Sequence, residues 1–274
     1  MKSFFNKLII IIMFLFAAYM HADIFNLGDC GCPSWDVAAK VGVAPIVWAE
    51  RGCFTGVLCS ISPQSCSTAE FNEFMCVGKF HDYFRQAPWT IGVEAGSFIC
   101  GCTRAYIDFQ YRQTHGKCFS LGLPALVGTA NTLLKFSAYR SESFYIGSDY
   151  FIDEVWCENI SLFIGGKIGL THFNRTKLSG TVTYAGNPNI FIPSEPVCVY
   201  YKGQTVLSAG GRVGVDIGMY DDLSLFITVE FLGQGGRDFD QKDIVLTTCV
   251  SDFRFGRIGA EVVFPIEVGV RYSF

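Results

Sequence analysis

The sequence predicts an all-β protein: a transmembrane antiparallel β-barrel of about 10–12 strands behind an N-terminal signal peptide. Three observations carry that expectation. Segments of strict apolar–polar alternation, the mark of a strand with one greasy and one polar face, recur along the chain. Half of the 274 residues are hydrophobic, yet no run after the first few turns of sequence is long and apolar enough for a spanning helix. Only helices and closed barrels satisfy their backbone polar groups inside lipid, so apolar content spread over alternating segments points to the barrel.

The chain opens with Lys2 and Lys7, an apolar run from Leu8 to Phe16, and small residues at Ala17, Ala18 and Ala22. That is the make-up of a secretory signal peptide, too short and wrongly flanked for a transmembrane helix. Cleavage after Ala22, with Ala18 as the alternative, divides the chain into a leader, 1–22, and a barrel domain, 23–274. Loss of the two leader lysines deepens the formal charge of −4 by two, which argues against nucleic acid as a partner.

In the barrel domain, Val37, Ala39, Val41 and Val43 alternate with Ala38, Lys40, Gly42 and Ala44 as a first strand, stopped by Pro45. Residues 50–88, with four cysteines and several turn formers, read as a long disulfide-tied loop or as loops around one poorly patterned hairpin. Segments 89–99 and 105–112 form a hairpin around Cys100-Gly101-Cys102-Thr103. Residues 115–158 carry a weak pattern, with a strand near Leu134–Ala138 and a fragment at Phe144-Tyr145-Ile146. Alternation returns over 160–171; Asn174-Arg175 reads as a turn, and weaker strands follow near 181–185 and 197–202. Segments 207–219 and 223–232 pair around Tyr220-Asp221-Asp222, and a long loop, 233–257, precedes the final strand, 258–274. Short turns of such barrels lie in the periplasm and long loops outside, which puts Asp221-Asp222 and Phe274 in the periplasm. A chain of this length suits ten to twelve strands better than eight or fourteen.

In the six well-patterned strands every charge falls on the polar face. A lysine or arginine facing lipid at mid-depth costs about 2–4 kcal/mol, whereas a wet lumen costs it little. Glu94, Asp108, Arg112, Lys167, Arg212, Asp216, Glu230 and Arg271 are therefore candidate lumen-facing charges, with Glu261 and Glu267 on the same face. Polar, glycine-rich strand faces predict a porin-like channel for small hydrophilic solutes or ions. The alternative is a non-conducting structural barrel or surface adhesin, its interior filled by side chains or by residues 50–88 folding inward. His115 and His172 have no Asp beside them, and His81, next to Asp82, has no nucleophile beside it. No catalytic residue, cofactor or metal site is assigned, and no enzyme is expected.

All twelve cysteines follow the leader. An even number in an oxidising compartment favours disulfides over metal sites. Cys30, Cys32, Cys53, Cys59, Cys66, Cys76, Cys100 and Cys102 are the candidate disulfide cysteines. Cys30 and Cys32, like Cys100 and Cys102, are separated by one residue and poorly placed to bond each other. Either all twelve pair within the chain, or the close pairs join neighbouring envelope proteins or a second copy.

Two resemblances add to this. Glu267, Gly269, Tyr272 and Phe274 fit a polar-x-Gly-x-x-aromatic-x-aromatic ending that resembles the assembly signal of bacterial outer-membrane barrels. It implies the outer membrane as the location, with its lipid and the barrel-assembly machinery as partners. Residues Trp89–Thr114 resemble a segment of the chlamydial major outer membrane porin, through Gly92, Cys100-Gly101-Cys102 and Phe109-Gln110-Tyr111 at matching spacing. Gly28-Asp29, Cys30, Cys32 and Trp35-Asp36 are similar to the mature opening of that family, which spaces its two cysteines by two residues and has a further cysteine where this chain has Asp36. The motifs cover roughly a fifth of the chain, and the chain is shorter than that family's porins. The resemblance implies a pore and a disulfide-crosslinked envelope.

Overall fold

The computed structural model describes residues 34–49, 54–56, 84, 87–100, 102–125, 128–152, 159–185, 195–220, 222–236, 243–244, 253–255 and 260–274. The expected leader, 1–22, and Cys30, Cys32, Cys53, Cys59, Cys66 and Cys76 lie outside them. In chain order the strands begin with β1 (Ser34–Val43), β2 (Ile46–Ala49), β3 (Phe54–Gly56), β4 (Trp89–Cys100), β5 (Thr103–Thr114) and β6 (Cys118–Ala125). Next come β7 (Gly128–Phe136), β8 (Tyr139–Ile152), β9 (Ile160–Phe173), β10 (Thr176–Ala185), β11 (Glu195–Tyr201) and β12 (Gln204–Tyr220). The last are β13 (Leu223–Gln234), β14 (Asp243–Ile244), β15 (Phe253–Phe255), β16 (Glu261–Val263) and β17 (Ile266–Ser273).

Strands β1, β4, β5, β8, β9, β12, β13 and β17 pair antiparallel in that order, and β17 pairs back onto β1 to close the ring. The barrel has eight strands, which corrects the expected ten to twelve. The surplus segments are strands, but they add height instead of girth. Strands β6, β7, β10, β11 and β14 form a five-stranded sheet on the side of the long loops.

That sheet continues one wall of the barrel. Thr114↔Tyr139 in the barrel and Cys118↔Lys135 above it fall in one unshifted register. The same holds for Ser141↔Phe173 with Leu178↔Phe136, and for Gln204↔Phe173 with Thr176↔Tyr201. The ladders break together at residues 115–117, 137–138, 174–175 and 202–203, a common waist. Asn174-Arg175 is thus a kink in a strand that keeps rising, not the turn its residues suggested. Alternation skips a beat there: Phe136 and Tyr139, three residues apart, are both buried, as are Phe173 and Thr176. Gly116 and Gly203 serve the close approach, since a Cβ on either would run into the backbone carbonyl of Phe136 or Phe173.

The expected final strand, 258–274, is broken at Phe264-Pro265 into β16 and β17. Proline has no amide hydrogen for the ladder. Its carbonyl still accepts from the Glu230 amide at 2.8 Å, so the register survives the break.

Burial is inverted. Arg104 and Glu230 are fully buried, while Ile146 and Leu207 are 60% and 61% exposed. Outward positions carry a band of Val, Ile, Leu and Phe, bounded by Trp89 and Tyr111 on the loop side and by Tyr150, Tyr220, Tyr272 and Phe274 on the turn side. An apolar belt edged by aromatics on a closed barrel is the surface lipid requires.

Candidate functional site

Period-two geometry sends alternate residues of all eight strands into one bore. Among the described residues, six cationic and eight carboxylate side chains are buried. With carboxylates in excess, one-to-one pairing is impossible, and the cations are shared.

At the turn side the bore has a floor. Phe98, Phe151, Phe163 and Phe226 pack with Ala38, the Phe98–Phe151 and Phe151–Phe163 rings 5.1 and 5.3 Å apart. Arg271 lies over this floor, 5.0 Å from the Phe226 ring, and donates to Asp216. Above it Arg104 donates through Nε to Asp36 at 2.8 Å and through Nη1 to Glu94 at 2.9 Å. Arg212 bonds Asp149 at 2.8 Å and Glu94 at 2.5 Å, with its guanidinium 3.8 Å from the Tyr106 ring.

At mid-height Lys40 Nζ lies 2.8 Å from Glu94, 3.0 Å from Asp108, 3.0 Å from Glu267 and 3.5 Å from Glu230. Lys167 lies 2.7 Å from both Asp108 and Glu230 and 4.4 Å from the Tyr145 ring centre. Gln110 reaches Glu230 and Glu267 at 3.3 Å each. Toward the loop side the network turns neutral. Arg112 donates to Gln234 at 2.9 Å and Gln234 to Thr171 at 3.3 Å; Thr171 meets Ser143 at 2.9 Å and Ser208 at 2.7 Å. Buried Phe84, Phe136, Tyr139, Phe173 and Leu178 form a cap at the waist.

Glycines receive the largest of these side chains. A Cβ on Gly214 would strike the Phe163 ring, on Gly269 the Phe226 ring, on Gly147 Tyr106 and on Gly96 the Arg104 guanidinium. Each bulky inward group lies over a socket on the neighbouring strand.

Glu94, Asp108, Arg112, Lys167, Arg212, Asp216, Glu230 and Arg271 are all buried on the inward face, as are Glu261 and Glu267. Asp36, Lys40, Arg104 and Asp149 share the network and were not singled out from the sequence. Phase alone could have found two of them: Asp36 is in step with Lys40 on the polar face of the first strand. Arg104, in step with Asp108 and Arg112, stands one residue before the strand was expected to start. Asp149 sits in β8, where Phe, Tyr and Ile occupy both faces and blur the alternation.

The four residues of the terminal motif divide. Glu267 accepts from Thr90 at 3.0 Å inside the bore, and Gly269 is the socket for Phe226. Tyr272 and Phe274 face outward with their rings 6.3 Å apart, and Phe274 and Trp35 exchange backbone hydrogen bonds. Cys102 is a half-buried free thiol in the β4–β5 turn, and Cys118 an exposed free thiol at the start of β6. Cys100 ends β4. His172, on the outer surface, has Nδ1 2.9 Å from the Thr205 hydroxyl.

No protein-family model matches the sequence, and no curated protein matches it. Among solved structures the chain is similar to Neisserial surface protein A, at 13% identity and TM-score 0.42 over 88% of this chain and 97% of that one. Ail, the attachment invasion locus protein of Yersinia pestis, gives 12% identity and TM-score 0.36 over 87% and 98% of the two chains. The outer membrane protease OmpT from Escherichia coli gives 10% identity and TM-score 0.27 over 88% and 97%. Those likenesses are too slight to argue from. The closed ladder, apolar outside and polar inside, is what places the molecule in a bilayer: the chain is an outer-membrane β-barrel of eight antiparallel strands.

Proposed function

We propose that this chain is a non-conducting barrel that anchors an extracellular β-sheet and acts through its outer surface, as a structural or adhesive protein. The observation that carries this reading is the filling of the bore. Between the phenyl floor and the aromatic cap, Lys40, Lys167, Arg104 and Arg212 are bonded to carboxylates and Arg112 to Gln234, and bulky side chains rest in glycine sockets. Eight strands enclose an interior just wide enough for side chains to occupy. The upper sheet supports the same reading, since an unshifted register makes it a rigid extension of the membrane wall.

The channel expected from the polar strand faces is the rival. The resemblance to the chlamydial porin falls on the β4–β5 hairpin, and the pore it implies is tested by the same measurement. Refolded protein in planar bilayers, with insertion verified, is expected to give no single-channel steps. Stable steps that scale with salt would overturn the proposal and restore the pore.

A further inference from the structure

The outward side of the waist carries a group of cations that the filled bore does not use. Arg140, Arg175 and Lys202 are exposed, as is Lys135, and Lys177 is half-buried. They lie on adjoining strands. The Asn174 amide donates to the Arg140 carbonyl at 2.9 Å, which sets Arg175 beside Arg140. The Ser137 amide donates to the Lys177 carbonyl at 2.7 Å, and Lys135 pairs with Ser179 two positions along. Lys202 follows Tyr201, the partner of Thr176, and so stands next to Arg175. Among the described residues the carboxylates at this level are Glu142, which accepts from Asn174 at 3.4 Å, and Asp243 on β14, paired with Tyr200. With exposed Lys117, next to the Cys118 partner of Lys135, six cations thus outnumber the described carboxylates at this level.

Their height matters as much as their charge. Below them the same strands present Phe144, Ile146, Ile168, Leu170 and Leu207 outward, all exposed. Arg140 lies two outward positions beyond Phe144. That is roughly 13 Å of strand and, at a tilt of about 45°, about 9 Å of height. The headgroup layer outside the hydrocarbon core is about 5–8 Å deep on each side, and long basic side chains bend back toward it over their apolar stems. Arg175 and Lys202, five residues beyond Leu170 and Leu207, stand about 12 Å up on the same scale, within reach of that layer, whereas Lys177 and Lys135 stand higher, beyond it. An apolar wall with a cationic collar of Arg140, Arg175 and Lys202 at phosphate height matches an amphiphile that has acyl chains below and anionic phosphates above.

We infer that this wall, over β8, β9 and β12, binds a phosphorylated lipid of the outer leaflet, with Arg140, Arg175 and Lys202 on its phosphates. The proposal concerns the outer surface and is independent of whether the bore conducts. The test uses the full refolded barrel in phosphatidylcholine vesicles doped with lipid A bearing both phosphates, or with the same lipid A fully dephosphorylated. Lipid retained after detergent extraction is read by native mass spectrometry. The wild type is expected to retain the phosphorylated form selectively. Replacing Arg140, Arg175 and Lys202 together by glutamine is expected to abolish that preference, and Arg175→Gln alone to weaken it roughly fivefold, the effect of about one cation at a membrane surface. Heat-modifiable migration on electrophoresis checks that each variant folds, and a variant exchanging Lys and Arg at the three positions should keep the preference. Equal retention of both lipid A forms, or undiminished preference in a folded triple variant, would overturn the inference. Displacement of the retained lipid by soluble heparin would reassign the collar to an acidic polysaccharide and likewise overturn it.

Discussion

Lys40 is the side chain on which the carboxylates of the bore converge, with Glu94, Asp108, Glu230 and Glu267 all within 3.5 Å of its ammonium. Removing it leaves buried carboxylates to Lys167, Arg104 and Arg212 among the described residues, and leaves Glu267 with the neutral donors Thr90 and Gln110. Breaking a buried ion pair by deleting one partner costs about 3–5 kcal/mol. Lys40→Met is expected to lower unfolding stability in lipid vesicles by that order, measured by denaturant titration. Val41→Ala, one residue along and facing lipid, should change it little. An unchanged midpoint for Lys40→Met would mean that the network does not hold the barrel. The charges of this network were legible in sequence wherever alternation was clean, because a charge in phase with glycines and threonines has only the bore to face. Their partners were not, since sequence phase says which face a residue takes and nothing about which neighbour lies across the bore.

Strand by strand, the barrel is assembled from bulky groups set over glycines, and the clearest case is Phe163 of β9 over Gly214 of β12. Overfilling a packed interior costs about 1–3 kcal/mol. Gly214→Val is expected to destabilise by that order, and Phe163→Ala in the same chain to recover part of the loss because the ring that clashes is gone. Thermal unfolding of the two single variants and the double variant reads this, and purely additive effects would show that the pair is not a knob and socket. The 89–99 and 105–112 hairpin and the pair 207–219 and 223–232 were visible because their faces differ so sharply in polarity. Strand β8 was not, for two reasons. Its outer end carries Arg140 and Glu142 where lipid-facing strands carry apolar residues, and the skipped beat at Ser137-Ala138 throws Leu134 and Phe136 out of phase with it.

The whole molecule is a barrel with one wall raised, and the two parts are held by different means. The barrel's ring closes without any residue of β6, β7, β10 or β11. Replacing β6–β7 and β10–β11 each by a short turn is expected to leave a folded, heat-modifiable barrel in the outer membrane. Absence of that form would show that the upper sheet is needed for closure. Strand number was the part of the architecture least open to sequence reading. A strand that adds to the circumference and one that stacks above it carry similar patterns, and only the register across the waist separates them. The seam has a further consequence. Asp36 pairs with Ser273, and the Trp35 and Phe274 backbones bond each other, so the last ladder joins residues from the two ends of the described chain. Without β17 in place, strands β1 and β13 both present open edges, which are templates for aggregation. Contacts of such long sequence separation also form slowly. Chain order therefore makes closure the last event available to this fold, since one strand must meet both β1 and β13.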